Sequence, residues 1–60
     1  MEQIIKKGAV VKNAVLLPGV VIGSDAHVEN VVVDKNAKII HSKKVVSEGN
    51  PGYIKRNDVL

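Results

Sequence analysis

The 60-residue sequence predicts an all-β fold, a single-stranded parallel β-helix built on a hexapeptide repeat, with about two and a half coils and a C-terminal cap. Three observations carry the prediction. Shifted by 17 residues, the chain matches itself: VKNAVLLPGVVI (residues 11–22) falls on VENVVVDKNAKI (residues 28–39). Val11 then meets Val28, Asn13 meets Asn30, Leu16 meets Val33 and Ile22 meets Ile39, and the overlay extends to Ile5 on Ile22, Ala9 on Ala26 and Val28 on Val45. Secondly, aliphatic residues recur at Ile5, Val11, Leu16, Ile22, Val28, Val33, Ile39 and Val45, in steps of six, five and six. Neither the 3.6-residue period of a helix nor the two-residue period of a lone strand produces that spacing. A small or β-branched residue stands two before most of them: Ala9, Ala14, Val20, Ala26, Val31 and Ala37. Thirdly, Phe and Trp are absent and Tyr53 is the single aromatic. The core must therefore come from Val, Ile, Leu and Ala, which a narrow solenoid interior accepts.

The elements follow in order. Residues 1–4 are a lead-in, and because the repeat is in phase by Ile5, Met1 is expected to be the start of an excised piece. Residues 5–46 are the β-helix. Each hexad gives a strand of about four residues, roughly 13 Å long, followed by a corner. The aliphatic residue and the small one point inward, three sides close a coil in 17 residues, and the next coil stacks about 4.8 Å away. Corners are expected at Gly8, Pro18-Gly19, Gly23-Ser24-Asp25 and Asp34-Lys35-Asn36, residue types that tolerate tight or left-handed backbone. At Lys43 a small inward residue is due; a charge in a dry core is costly, so the coil is expected to stop or open there. Residues 47–60 are a connector and capping strand: SEGNPG is turn-rich, and YIKRNDVL is expected as a strand or hairpin over the last coil. A cap is physically called for, since an uncovered solenoid end exposes apolar interior and strand edges.

Composition narrows the function. Sixty residues form one small unit, near the lower limit for a self-sufficient core. With no Cys there is no disulfide framework, thiolate metal site or Cys nucleophile, and a cytoplasmic location is expected. The net charge of +3 is mild and interspersed, and no aromatics are available to stack on bases, which argues against nucleic acid. No apolar run approaches ~20 residues, so no membrane partner is expected.

Among candidate chemical residues, His27 aligns with Val10 and Lys44, and His41 with Ser24 and Lys7. Both read as outward or corner positions and as solvated histidines, and two that do not share a ladder fall short of a catalytic zinc site. No metal and no cofactor are expected. Asn13 and Asn30 stack in register as an amide ladder, with Asn36 at a corner. Lys12 and Glu29 read as an exposed ion pair worth at most about 1 kcal/mol. Lys43, Lys44, Lys55 and Arg56 gather toward the C-terminal end, where they either form a solvated rim or hold the phosphate of a sugar-phosphate effector. Leu17, Val21, Val32 and Ile40 face outward and form a candidate interface. No phosphate-cradling loop, Ser/His/Asp set or paired carboxylates appear, so these residues are not expected to be an enzyme on their own.

The stretch VKNAVLLPGVVIGSDAHVENVVVDKNAKI resembles the C-terminal β-helix of bacterial glucose-1-phosphate adenylyltransferase (ADP-glucose pyrophosphorylase). The residues that carry the likeness are Asn13-Ala14-Val15, Gly19, Ile22-Gly23, Glu29-Asn30 and Asp34-Lys35-Asn36, with the tail EGNPGYIKRNDVL. Asp34-Lys35 and the tail lean toward the GlgD-like regulatory subunit. The resemblance implies a left-handed coil, against the usual right-handed crossover rule. It also implies a parent that makes ADP-glucose from ATP and glucose 1-phosphate for glycogen biosynthesis, in which this module serves assembly and allosteric response. Implied partners are the catalytic domain, neighbouring subunits of a homo-oligomer and a sugar-phosphate effector. The family's nucleotide-binding residues have no counterpart here, so no catalytic position carries over. A fragment of a hexapeptide-repeat acyltransferase, or of another sugar-phosphate nucleotidyltransferase, is the alternative.

Overall fold

The computed structural model describes residues 2–60; Met1, on which the expectation of an excised start falls, lies outside the described residues. Among the described residues nine short strands succeed one another: β1 (Ile4–Ile5), β2 (Val10–Lys12), β3 (Val15–Leu16), β4 (Val21–Ile22), β5 (His27–Glu29), β6 (Val31–Val33), β7 (Lys38–Ile39), β8 (Lys44–Val46) and β9 (Gly52–Ile54). None pairs with its neighbour in sequence. Each of β1 to β6 pairs with the strand three places on, giving sheets β1-β4-β7, β2-β5-β8 and β3-β6-β9, all parallel. That order is a three-sided parallel β-solenoid of three coils. The register is the 17-residue overlay of the sequence: Ile5 on Ile22 on Ile39, Val11 on Val28 on Val45, Leu16 on Val33.

The corners explain how strands so short can turn. Asn13, Asp25, Asn30, Asn36 and Asn57 adopt φ between 47° and 65°, and Gly8, Gly19 and Gly49 lie between 76° and 83°. Left-handed backbone costs most residues roughly 1–2 kcal/mol, and Gly, Asn and Asp are the types that visit it routinely. These residues stack as the strands do, Gly8 below Asp25, Asn13 below Asn30, and Gly19 below Asn36. Glycine at position 19 has a second cause, since a Cβ there would overlap the Asn36 side-chain oxygen.

Side chains alternate along each strand, and the inward set fills the triangle. Val20, Ile22, Ala26, Val28, Val31, Val33, Ala37 and Ile39 are at most 3% exposed, and Ala9, Val11, Ala14, Leu16, Val45, Ile54 and Leu60 pack against them. Ile5 departs from the expected interior. It is stacked under Ile22 yet 52% exposed, because no coil lies on its other side among the described residues. Among the described residues the exposed large apolar side chains (Ile4, Ile5, Val10, Val15, Ile40, Val46, Tyr53 and Val59) belong to the first coil, to the third, or to the tail beyond it.

At Lys43 the ladder does not break. The His27 amide still donates to the Lys43 carbonyl at 2.9 Å, and the side chain swings outside to the Ser24 carbonyl, with Nζ 2.9 Å from it. The charge thus avoids the core without ending the coil. After β8 the phase slips by four residues, because Gly52, not residue 48, pairs with Val31. The extra residues form a turn tied by Ser47 Oγ to the Asn50 carbonyl and by Asn30 Nδ2 to the Ser47 carbonyl. Beyond it β9 runs parallel on β6 with Ile54 on Val33. Residues 58–60 then lie along β7 through the Lys38–Val59 bridge and bonds from Lys38 N to Asp58 O and Leu60 N to Lys38 O, both 2.8 Å. The tail is a continuation of the helical path, in parallel register and not a hairpin. It supplies the third side that the repeat through Val46 leaves out.

Candidate functional site

With the interior filled by aliphatic side chains, any function must lie on the outer sides, the corners or the ends. The three sides differ in chemistry.

The second side (β2, β5, β8) carries four polar side chains, His27, Lys44, Lys12 and Glu29, with Val10 and Val46 among them. His27 sits between Val10 and Lys44, and Glu29 between Lys12 and Val46. Two residues apart on one strand, His27 and Glu29 face the same way, and His27 Nε2 lies 2.9 Å from Glu29 Oε1. The expected Lys12–Glu29 pair is therefore replaced: among the described residues the Glu29 carboxylate engages His27. Cross-strand register puts Lys12 beside Glu29, but the stiff imidazole reaches the carboxylate without ordering a long flexible chain. His27 is accordingly hydrogen-bonded and not merely solvated. His41 is exposed and stands apart from it, its backbone amide donating to the Leu60 carbonyl at 2.7 Å. Among the described residues no three His, Cys, Asp or Glu side chains form a metal-ligating group, no pocket is enclosed, and no helix is long and apolar enough to cross a membrane.

The third side (β3, β6, β9) presents Val15, Val32 and Tyr53 in one outward column, with Leu17 and Asp34 in the next. The first side (β1, β4, β7) presents Ile4, Val21 and Lys38, while Ile40 comes just after β7. The candidate interface residues thus fall on two sides that meet at the Gly19–Asn36 corner, Leu17 and Val32 on the third side and Val21 and Ile40 on the first. Leu17, Val21 and Val32 are half-buried and Ile40 is exposed.

The basic candidates divide between two corners. Lys43 and Lys44 lie where the chain enters β8, and Lys55 and Arg56 come after β9 where it turns toward the first side. Sequence proximity to the C-terminus suggested one group, but successive corners of the triangle separate them. The second of these corners has its own network, which the sequence did not suggest. The Tyr53 hydroxyl donates to the Asp34 carboxylate, and the Lys35 amide donates to the same side chain at 2.7 Å. These bonds, first that from Tyr53, hold Asp34 below the usual carboxylate range, with Arg56 and Lys35 adding attraction. The same bond pushes the Tyr53 hydroxyl up from its ordinary value. Only the four-residue slip in phase brings Tyr53 beside Asp34, so a strict 17-residue reading misses the pair.

Asn13 and Asn30 form the expected ladder, Asn13 Nδ2 donating to Asn30 Oδ1 at 3.2 Å. Their left-handed backbone shows that they are also corner residues.

A family model described as GlmU-like, C-terminal hexapeptide, matches residues 1–50. No curated protein and no solved structure matches the chain.

Proposed function

The chain belongs to the GlmU-like, C-terminal hexapeptide family, and on that premise we propose that it is the non-catalytic assembly and regulatory module of a sugar-nucleotide-forming enzyme. Domains of this family are left-handed β-helices typical of nucleotidyl- and acyltransferase proteins, and they often trimerise. The parent proposed is a glucose-1-phosphate adenylyltransferase, with this chain on the side of the regulatory subunit. The Asn-Ala-Val, Glu-Asn and Asp-Lys-Asn motifs support that choice over an acyltransferase.

The observation that carries the assembly role is the contrast between sides. Val15, Leu17, Val21 and Val32 make the outer surface of the third and first sides mainly apolar, with Asp34 and Lys38 the charges there, where the second side carries His27, Glu29, Lys12 and Lys44 beside Val10 and Val46. A side exposed only to water gains nothing from valine and leucine, while one packed against a neighbouring subunit or a catalytic domain does. In the regulatory reading, Lys55 and Arg56 at one corner and Lys43 and Lys44 at the next are the groups that would meet an effector phosphate.

Sedimentation equilibrium tests the assembly role. Leu17→Lys and Val32→Lys are expected to lower the weight-average mass at a given concentration without loss of β-sheet circular dichroism. An unchanged mass in both variants would remove the apolar sides from the account. For the parent, adding the upstream reading frame and assaying ADP-glucose formation from ATP and glucose 1-phosphate separates this reading from the acyltransferase one.

A further inference from the structure

We infer that the corner between the first and second sides binds an oxyanion of the phosphate-monoester class, held by Lys43 with Ser24, His41 and Lys44 around it. The inference rests on the regulatory reading above, in which Lys43 and Lys44 are two of the candidate cations, and it commits the phosphate to one corner. Its root is an exception to the rule of the fold. Position 43 stands over Ala26 and Ala9 in the inward column of small residues, since the ladders on both flanks keep the 17-residue offset. An alanine there would complete the core, whereas a lysine has to carry its charge out of it. Natural proteins break their own pattern at functional sites and stabilise the fold elsewhere.

The backbone departs from its rule at the same place. From left-handed backbone, the Asp25 and Asn36 amides donate one coil back, to the Lys7 and Pro18 carbonyls at 3.2 and 3.1 Å. Asn30 and Asn57 do the same toward Lys12 and Lys35, at 3.1 and 3.0 Å. Ser42, the next residue in the Asp25 column, is not left-handed and makes no such bond to Ser24. The Ser24 carbonyl instead receives Lys43 Nζ at 2.9 Å. Of the nine Lys and Arg side chains, Lys43 alone is held by a hydrogen bond among the described residues, and none is in an ion pair there. The ammonium is thus fixed at the corner with two of its three donors unspent.

Its neighbours suit an anion. The same offset puts His41 over Ser24, about 4.8 Å away, and Lys44 over His27. Ser24, His41, Lys43 and Lys44 are all exposed. Ser24 belongs to the middle coil, which has a coil on either side, so the outer face of this corner is open whatever lies above or below the stack. The carboxylate of the corner, Asp25, is turned the other way: its Oδ1 fills the space that a Cβ on Gly8 would take. It therefore lies against the first coil, while Lys43 comes from the third. Glu29, the next carboxylate along the second side, is engaged by His27. A fixed ammonium, a hydroxyl, an imidazole and a second ammonium thus come from adjacent positions, donors that match the oxygens and the double charge of a phosphate monoester.

Inorganic phosphate, titrated into the isotope-labelled 60-residue chain at constant ionic strength and followed by amide chemical shift, tests the site. The amides of Ser24, Asp25, His41 and Lys43 should move on one saturable curve. Lys43→Ala restores the residue type that Ala9 and Ala26 set in this column, so the variant should melt at or above the temperature of the unsubstituted chain. Its dissociation constant for phosphate should nonetheless rise about tenfold, for the loss of one charge-assisted bond, while Lys12→Ala leaves it unchanged. Saturable binding kept by Lys43→Ala and lost when Lys55→Ala and Arg56→Ala are combined would overturn this inference and leave the regulatory reading standing. Linear shifts, the same with chloride as with phosphate, would overturn both. A lower melting temperature for Lys43→Ala with unchanged phosphate affinity would reduce Lys43 to a structural donor for the Ser24 carbonyl and overturn the site.

Discussion

In the middle coil Val20, Ile22, Ala26, Val28, Val31 and Val33 are at most 3% exposed, whereas 17 residues earlier Ala9, Val11, Ala14 and Leu16 remain partly open and Ile5 is 52% exposed. The two coils share one hexad pattern, turn at stacked left-handed corners and are hydrogen-bonded to each other in register. Place in the stack separates them. A solenoid coil buries its inward residues against the coils on either side, so stability is a sum of interfaces between neighbours. The middle coil has two such interfaces among the described residues and the first coil has one.

Equivalent substitutions in the two coils should therefore have unequal effects. The largest is expected at Ile22. Ile22→Ala should cost about 2–5 kcal/mol, and Ile22→Asp should unfold the chain, because a charge would be placed where no partner or water is available. Ile5→Ala, in the same column, should cost on the order of 1 kcal/mol, since half of that side chain is already in water. Urea titration of the four variants, with Ile5→Asp as the fourth, checks the ordering; equal losses at the two positions would break the comparison.

Next come the corners. Asn30→Ala should cost about 1–2 kcal/mol for placing a Cβ residue in left-handed backbone, and it also removes the donor to the Ser47 carbonyl. Asn30→Gly should recover most of the backbone share and leave only the lost bonds. Asn13→Ala should cost less than Asn30→Ala, because the Asn13 amide has one partner and the Asn30 amide reaches both Ser47 and Gly49. Thermal melts of the three variants give the ranking.

The smallest effect belongs to the outer bond between Tyr53 and Asp34. Tyr53→Phe should let the Asp34 pKa rise toward its ordinary value, read by carboxyl chemical shift against pH. The signs come from linkage. Asp34 is depressed in the folded chain, so its contribution is fully present above about pH 4 and is lost as pH falls through the folded value. Tyr53 is raised, so its contribution is present below about pH 10 and is lost as pH rises through the folded value. Tyr53→Phe should lower stability slightly between those limits, where the bond is present, and flatten the falls at both extremes, where it is already lost.

The fold was legible because one physical rule, an inward aliphatic residue every five or six positions, repeats unbroken from Ile5 to Val45. Stacking partners could then be named from arithmetic, and Val10–His27–Lys44 and Asn13–Asn30 stand where the offset places them. Burial was not legible at Ile5, because a pattern gives direction but not the layer beyond. Lys43 read as a stop because its position is inward; a flexible four-carbon stem that leaves the corner for the Ser24 carbonyl is invisible to periodicity. The Tyr53–Asp34 contact lay behind a four-residue insertion that shifts the offset from 17 to 21. The outer sides were readable only as sets of apolar and charged positions, since their grouping depends on which sides share a corner.

Amide hydrogen exchange at a concentration low enough to keep the chain monomeric tests the dependence on stack position most directly. In the first coil protection should alternate, with the amides of Ile4, Lys6 and Val10, which donate to the middle coil, exchanging slowly. Those of Ile5, Val11 and Leu16, which face away, should exchange at rates near those of unprotected backbone. Strands β4, β5 and β6 have a ladder on either side and should show no alternation. Slow exchange at Ile5 and Val11 in the monomer, or alternation through the middle coil, would contradict the account.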